Sequence, residues 1–416
     1  MRFIVKQNGC GSERIGRLTG FFKFPGAVIE TPTSALFTQG GSVVHLTSDV
    51  LSRVFSSPQL LWVPLSNSIQ LENGVKVQND GVAKFAGLPG HVACATLNNL
   101  SEVTPSGHFE PNKVPLWTKN GKKMLSANRY MDVMEVFKPD IILAIADGRT
   151  ALNEGTKRVL KAVNRTSQML NECVDRYKAA KELQNSTLVG LYVVIIYQYL
   201  CPHAFSSRGA QVFTTQIFIL DSNNNKFTFF FLWFYSQNAI PKNLVHIIEG
   251  CWNPTVILSA IEYGWDVFDG TYPVKLTNAG IALKLSFDVT KDNDTIYKED
   301  FTPILEDCEC LACTKNTRAY IRHLLNTREM LASVLLSIHN LHHFDQMFVY
   351  IRKHIASNTF AIFKQHITKQ CEMLKTFAPD RYKGLNEAID KQTFQKNKKI
   401  RVSEVLSSGL VSNNCT

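Results

Sequence analysis

The stretch Cys308-Glu-Cys310-Leu-Ala-Cys313 constrains this chain more than any other feature. Three thiols so close together do not form a simple disulfide set. Cys308 and Cys310 are too near for an unstrained bridge, and a third thiol is left over. Thiolates are soft ligands, and a tight loop wraps three of them round one Zn2+ at about 2.3 Å. A tetrahedral site needs a fourth donor. His339 is the candidate, 26 residues beyond Cys313 on an apolar-striped helical segment; His323, His342 and His343 are its rivals. Four protein ligands leave no open position for water. The expected role of the ion is therefore structural, one per chain, pinning loop to helix and adding its binding free energy to folding. Reactive thiols and an iron–sulfur cluster are the alternatives.

The remaining seven of the ten cysteines are scattered singly, and the N-terminal MRFIVKQNGCGSERIG lacks the apolar core of a signal peptide. That pattern predicts a reducing, intracellular setting, in which clustered thiols mean metal or catalysis. A hydrophobic share of 45% and a charged share of 19% over 416 residues describe a globular chain, long enough for a barrel plus a smaller unit. The net charge of +10 favours an anionic partner, nucleic acid or an acidic membrane face, against the plainer reading of a basic solvated surface. The apolar run 188–200 (LVGLYVVIIYQYL) has 13 residues, short of the roughly 20 that span a bilayer. It and the run 227–235 (FTFFFLWFY) read as buried strands, being rich in β-branched and aromatic residues.

The first hundred residues read as β-rich, with turns at Gly40-Gly41 and Pro89-Gly90 and a short helix over 48–55. From Ser126 the pattern changes. Tyr130, Val133, Met134 and Phe137 keep helical spacing, and the strand DIILAIAD then ends on Asp147. A helix over 156–183 follows. Further on, LVHIIEG reads as a strand, Asn253-Pro254 opens a helix that ends at Gly264, and WDVFDG is a strand ending on Asp269. Recurring strand–helix–strand order predicts a parallel sheet, and a run of eight would be a barrel. Asp147 and Asp269 both stand at C-terminal strand ends, where barrels collect ligand-facing groups; an Asp that simply starts the next turn is the bland alternative. After the cysteines come three helical pieces, 317–326, 328–340 and 342–356, with the form of a capping box over 326–329. Met330, Leu331, Val334, Leu335 and Ile338 form one stripe that reads as core packing. The Lys-rich tail beyond Asp380 reads as poorly ordered.

The thiol motif, the run Arg318-Ala-Tyr-Ile-Arg-His-Leu-Leu325 and the helix bearing Ile338-His339-Asn340-Leu341 together resemble the zinc subdomain of the tRNA-guanine/queuine transglycosylase family. The spacing from third cysteine to histidine matches that family, which singles out His339. WDVFDG followed by TYP resembles the stretch that carries the family's nucleophilic aspartate, here Asp269. Val44-His45-Leu46-Thr47 and the segment from Lys157-Arg158-Val159 are similar to its accessory, non-catalytic branch. The resemblance implies an α/β fold: an irregular (β/α)8 TIM-like barrel with a C-terminal zinc-binding subdomain. It implies a barrel with a β-rich N-terminal region over 1–295, atypical over 188–242, a zinc-binding helical subdomain over 296–375 and a basic, disordered tail over 376–416. It also implies a heterodimer with a catalytic paralogue, tRNA as the joint substrate, and a cytoplasmic protein loosely attached to the mitochondrial outer membrane, although no anchor is encoded. Catalytic members exchange guanine at the anticodon wobble position through an aspartate that attacks the ribose anomeric carbon.

This chain departs from that catalytic pattern. The family's Asp-Ser-Gly-Gly-Phe-Gln has its nearest echo in Pro105-Ser-Gly-His-Phe-Glu110, where proline stands in place of the acid–base aspartate. The glycine-rich base loop is replaced by GLYVVIIYQYL, and the basic stretch after the nucleophile reads Tyr272-Pro273-Val274-Lys275. Residues 191–242 match neither branch, through lineage divergence or a misplaced exon boundary. The reading is thus a subunit with no catalytic residue of its own, supporting queuine exchange by its paralogue, with Arg318, Arg322 and the tail lysines contributing to tRNA binding. The alternative is a self-sufficient transglycosylase that uses Asp269 as nucleophile.

Overall fold

The structure is a computed structural model that describes residues 1–99, 101, 110, 112–147, 156–193, 212–216, 242–289 and 301–377. The echo at 105–109, the base-loop residues 194–200, the run 227–235, the side chains at 157–159 and the tail beyond 377 lie outside the described residues.

Among these residues, β1 (Arg2–Asn8), β2 (Arg14–Thr19) and β3 (Ile29–Thr31) make an antiparallel sheet. The chain then enters two parallel sheets. The larger contains β5 (Leu36–Gln39), β7 (Leu60–Pro64), β8 (Val92–Thr96), β11 (Ile141–Leu143), β12 (Thr187–Val193) and β13 (Val212–Gln216), paired in that order, with β6 (Ser42–Val43) as an antiparallel edge. The smaller pairs β14 (Ile247–Ile248), β15 (Val267–Phe268) and β4 (Thr33–Ser34). Only Ala35 separates β4 from β5, so the chain steps there from one sheet into the other. A separate hairpin pairs β9 (Lys113–Thr118) with β10 (Gly121–Ser126). Gly40 and Gly41 close the β5–β6 turn with φ of 61° and 80°, the left-handed backbone that a two-residue hairpin loop requires.

The parallel strands are apolar on both faces, as a sheet covered on both sides demands. Phe37, Trp62, Cys94, Leu143, Val189, Ile247 and Val267 join one buried cluster, which Leu18 and Ile29 of the antiparallel sheet also enter. Residues of alternate register, Leu36, Leu61, Ala93, Ile142 and Leu188, face a second cluster shared with the helices. Gly270, just past β15, must be glycine: a Cβ there would lie 1.9 Å from the Ala35 carbonyl oxygen.

The helices are α1 (Ser48–Val54), α2 (Leu65–Ser68), α3 (Glu72–Gln78), α4 (Val82–Phe85), α5 (Ala127–Phe137), α6 (Thr156–Ala179), α7 (Pro254–Glu262), α8 (Thr271–Asn278), α9 (Leu311–Lys315), α10 (Arg318–Asn326), α11 (Met330–Ala356) and α12 (Phe360–Phe377). None of those described is long and apolar enough to cross a membrane. Helix α5 buries Tyr130, Val133, Met134 and Phe137, the residues its spacing selects. Ser126 caps it by accepting from the Arg129 N–H at 3.3 Å, and the Tyr130 hydroxyl donates to the Leu143 carbonyl at 2.7 Å. Helix α7 opens with Asn253 accepting from the Val256 N–H at 3.0 Å and Pro254 at the first position.

Three local expectations differ. The break near Leu341 does not exist, because α11 runs unbroken for 27 residues. Its middle is buried on nearly every side, so no polar face marks its continuity. The capping box at 326–329 does not form. Arg328 takes φ 59°, and the Thr327 hydroxyl instead donates back to the His323 carbonyl at 3.0 Å, closing α10. The stripe from Met330 to Ile338 is core only in part: Leu335 and Ile338 are buried, whereas Met330 is 86% exposed.

One buried ion pair fixes how the antiparallel sheet meets β15. Arg14 Nε and Nη2 donate to the two Asp266 oxygens at 2.9 and 2.6 Å. The same guanidinium donates to the carbonyls of Lys242 and Leu244, and Asp266 also accepts from the His246 N–H at 2.7 Å. Such a pair is costly to break from one side, because the surviving charge stays buried. Arg14→Met should lower the unfolding free energy by about 3–5 kcal/mol in urea titrations. A loss below about 1 kcal/mol would show that Asp266 is solvated or neutral instead.

Candidate functional site

Cys308 and Cys310 lie on the loop that leads into α9, Cys310 as the N-cap of that helix, and Cys313 sits within its first turn. The Cys310 Sγ accepts from the Cys313 N–H at 3.4 Å, so the same backbone turn that starts the helix folds the thiols inward. His339 comes from the middle of α11 and is fully buried. Its Nδ1 lies 3.7, 3.7 and 3.3 Å from the sulfurs of Cys308, Cys310 and Cys313. All four donor atoms fall within 4.8 Å of one another. A tetrahedral Cys3His zinc site would separate sulfur from nitrogen by about 3.6 Å and sulfur from sulfur by about 3.8 Å. The cluster needs little movement to close on an ion.

The other ring nitrogen decides the tautomer. His339 Nε2 stands 2.8 Å from the Leu283 carbonyl oxygen, so Nε2 carries the proton and Nδ1 keeps its lone pair for a metal. Electrostatics points the same way. The neighbouring thiols Cys308 and Cys310 hold Cys313 down, to about 3, while Cys308 and Cys313 push Cys310 up. Cys308 is held down as well, chiefly by Cys310, and thiolates packed this closely require a positive charge between them. The soft donor set with one imidazole suits Zn2+ and does not suit Mg2+ or Ca2+, which take oxygen.

The rival histidines are placed elsewhere. His323 is exposed and His342 half-buried. His343 accepts from the Leu285 N–H at 3.0 Å and stacks between His339 and Phe287, at 5.5 and 4.6 Å. Burial keeps it neutral, with its pKa lowered to about 3. Beside it, Asn340 Oδ1 accepts from the Leu283 N–H at 2.7 Å, and its Nδ2 donates to the Ile281 carbonyl at 2.9 Å. Residues 281–286 thus form an extended strap whose backbone is satisfied by side chains of α11 and, through Gln370 on Ser286, of α12. Arg318 donates to the Ile304 carbonyl at 3.0 Å and supports the cysteine loop from α10.

The second cluster lies at the C-terminal strand ends. Asp147, after β11, is buried and paired with Arg165 of α6 at 2.5 Å. It is a structural ion pair. Asp269, after β15, is fully buried and accepts from the Thr271 N–H at 2.6 Å. Glu249, after β14, was not singled out by the sequence reading, although HIIEG places it at the same strand-end position as the two aspartates. Its Oε1 accepts from the Thr96 hydroxyl. Burial is the main cause that raises Asp269 to about 7 and Glu249 to about 8, and the charge of Asp269 adds to the shift of Glu249. Lys275 of α8 is also buried and lies near Asp269.

These shifts carry a sign. A carboxyl raised by burial binds more protons folded than unfolded, so stability falls as pH rises from about 4 to about 8. Asp269→Asn keeps an acceptor for Thr271 and removes the charge. Between about pH 5 and pH 8 the fall in unfolding free energy should shrink by about 2 kcal/mol in that variant. An unchanged fall in denaturant titrations would mean that Asp269 is already ionised in the folded chain.

Residues 10–373 match the family model described as queuine tRNA-ribosyltransferase. The chain is 31% identical over 392 residues to queuine tRNA-ribosyltransferase accessory subunit 2 of Aedes aegypti, covering 89% of this chain and 93% of that protein. It is 32% identical over 395 residues to the Drosophila virilis protein of the same name, with 89% and 93% covered. The Culex quinquefasciatus protein of that name is 30% identical over 403 residues, with 89% and 91% covered. These matches span both the strand-end carboxyls and the Cys3His cluster, and the chain belongs to the queuine tRNA-ribosyltransferase family.

Proposed function

We propose that this chain is the non-catalytic subunit of a heterodimeric queuine tRNA-ribosyltransferase. It supports a catalytic paralogue as that paralogue exchanges guanine for queuine at the tRNA wobble position. The observation that carries this reading is the state of Asp269. A nucleophile must reach the ribose anomeric carbon as a carboxylate. Here the carboxyl has no exposed surface, its Oδ1 accepts from a backbone N–H and burial raises it to about 7. The full-length similarity to proteins named accessory subunit 2 points the same way.

The finer architecture follows from that reading. The step at Ala35 and the approach of β13 to β14 support closure of the two parallel sheets into an irregular (β/α)8 barrel over 1–295. A zinc-binding helical subdomain then spans 296–375, and a basic tail follows over 376–416. Cys308, Cys310, Cys313 and His339 would hold one structural Zn2+, which clips the cysteine loop to α11 and the strap. Close to that clip, Tyr320, Leu325, Met330 and Leu331 leave apolar surface exposed at the α10–α11 turn, which suits a docking face for the catalytic paralogue. The location that fits is cytoplasmic, with peripheral attachment to the mitochondrial outer membrane.

Two measurements test this. Purified chain should contain about one zinc per molecule, and His339→Ala should lose most of it together with a clear fall in melting temperature. Unchanged metal content and melting would remove the clip. Labelled-guanine exchange on tRNA should be absent with this chain alone, appear when the catalytic paralogue is co-expressed, and survive Asp269→Asn in this chain. Exchange by the lone chain that Asp269→Asn abolishes would establish the self-sufficient enzyme instead.

A further inference from the structure

We propose that the β9–β10 hairpin is an RNA-contacting finger that grips phosphates through Lys119 and Lys123. The proposal rests on the tRNA reading above and names a surface of this chain that serves it. The hairpin, KVPLWTKNGKKMLS, carries four lysines and no acidic residue. Lys113 at its root is engaged by Glu110 at 3.0 Å. Lys119, Asn120, Gly121 and Lys123 are exposed. Lys122, on the opposite side of the ribbon from Lys123, lies over the half-buried Trp117 ring, 5.9 Å from its centroid.

The finger is rigid and correctly placed. Its two strands pair in unbroken register from Lys113 opposite Ser126 to Thr118 opposite Gly121. Val114, Leu116 and Leu125 bury its root in the main cluster. At the tip the Thr118 hydroxyl donates to the Gly121 carbonyl at 2.8 Å and accepts from the Asn120 N–H at 3.2 Å. The lysines are therefore presented from fixed backbone, which lowers the entropic cost of contact. The hairpin follows β8 in the sequence and leads directly into α5, and β9 packs on α2, which starts where β7 ends. It thus stands at the same sheet edge as Asp147, Glu249 and Asp269. A polyanion lying on that edge meets the finger. A membrane fits less well, because the tip is Lys-Asn-Gly with no exposed apolar residue to enter a bilayer.

The test uses the complex with the catalytic paralogue, with tRNA affinity measured by fluorescence anisotropy between roughly 50 and 200 mM salt. Lys119→Glu/Lys123→Glu should weaken binding at least tenfold and lower the slope of log affinity against log salt by about 1.4–1.8, the share of two phosphates. Lys119→Gln/Lys123→Gln should act in the same direction with a smaller loss, and Lys119→Arg/Lys123→Arg should bind as the parent does. Affinity and slope within twofold of the parent in both the Glu and Gln variants would overturn the finger. So would an unchanged tRNA affinity alongside lost binding to phosphatidylserine vesicles, which would make the surface a lipid contact. If the parent complex itself fails to bind tRNA, the functional reading falls and the finger falls with it.

Discussion

One imidazole holds the C-terminal third of the described chain together. His339 faces three sulfurs with Nδ1 and a backbone carbonyl with Nε2, so a single buried ring joins the cysteine loop, α11 and the strap at 281–286. Remove the ring and each loses its partner at once. The loop keeps three thiols that repel as thiolates, and the Leu283 carbonyl is left buried without its donor. Asn340 and His343 repeat the arrangement one position and one turn further along, each taking a strap N–H. The strap therefore behaves like a strand whose ladder partner is the side chains of a helix. This explains why a 27-residue helix carries so many polar residues on buried positions: they satisfy backbone that no sheet reaches.

The strand-end carboxyls show the other way that a fold can treat buried charge. Asp266 and Asp147 each received an arginine, and both pairs tie an element to a sheet edge. Asp269 and Glu249 received hydrogen-bond donors but, among the described residues, no cation in an ion pair, and burial raises both. Desolvation penalises the charged form of that second pair, so burial favours the neutral carboxyl at both positions.

Much of the candidate metal centre was legible in the sequence, because three of its donors are neighbours in the chain and sulfur spacing is a local property. The fourth donor was not local. His323, His342 and His343 were equal rivals on residue type, and only the resemblance to a family or the three-dimensional facing of the ring separates them. Helix α5 was legible for a similar reason: Tyr130, Val133, Met134 and Phe137 report one face, and Ser126 reports the start. The capping box at 326–329 failed because its motif is satisfied equally well by residues that end one helix and turn into the next. Met330 was misplaced because apolar periodicity shows which residues share a face, not whether that face is covered.

The sequence by itself determined the thiol cluster, the strand–helix alternation and the sites of the main caps. Each of these is written in residues close together along the chain. Tertiary structure decided which histidine meets the sulfurs, which aspartates find an arginine, that Glu249 joins Asp269 at one edge, and that a lysine-bearing hairpin packs on α2. Those outcomes depend on contacts between residues tens to hundreds of positions apart. Local spacing does not encode such contacts, because burial and pairing are settled only when the sheets and helices come together.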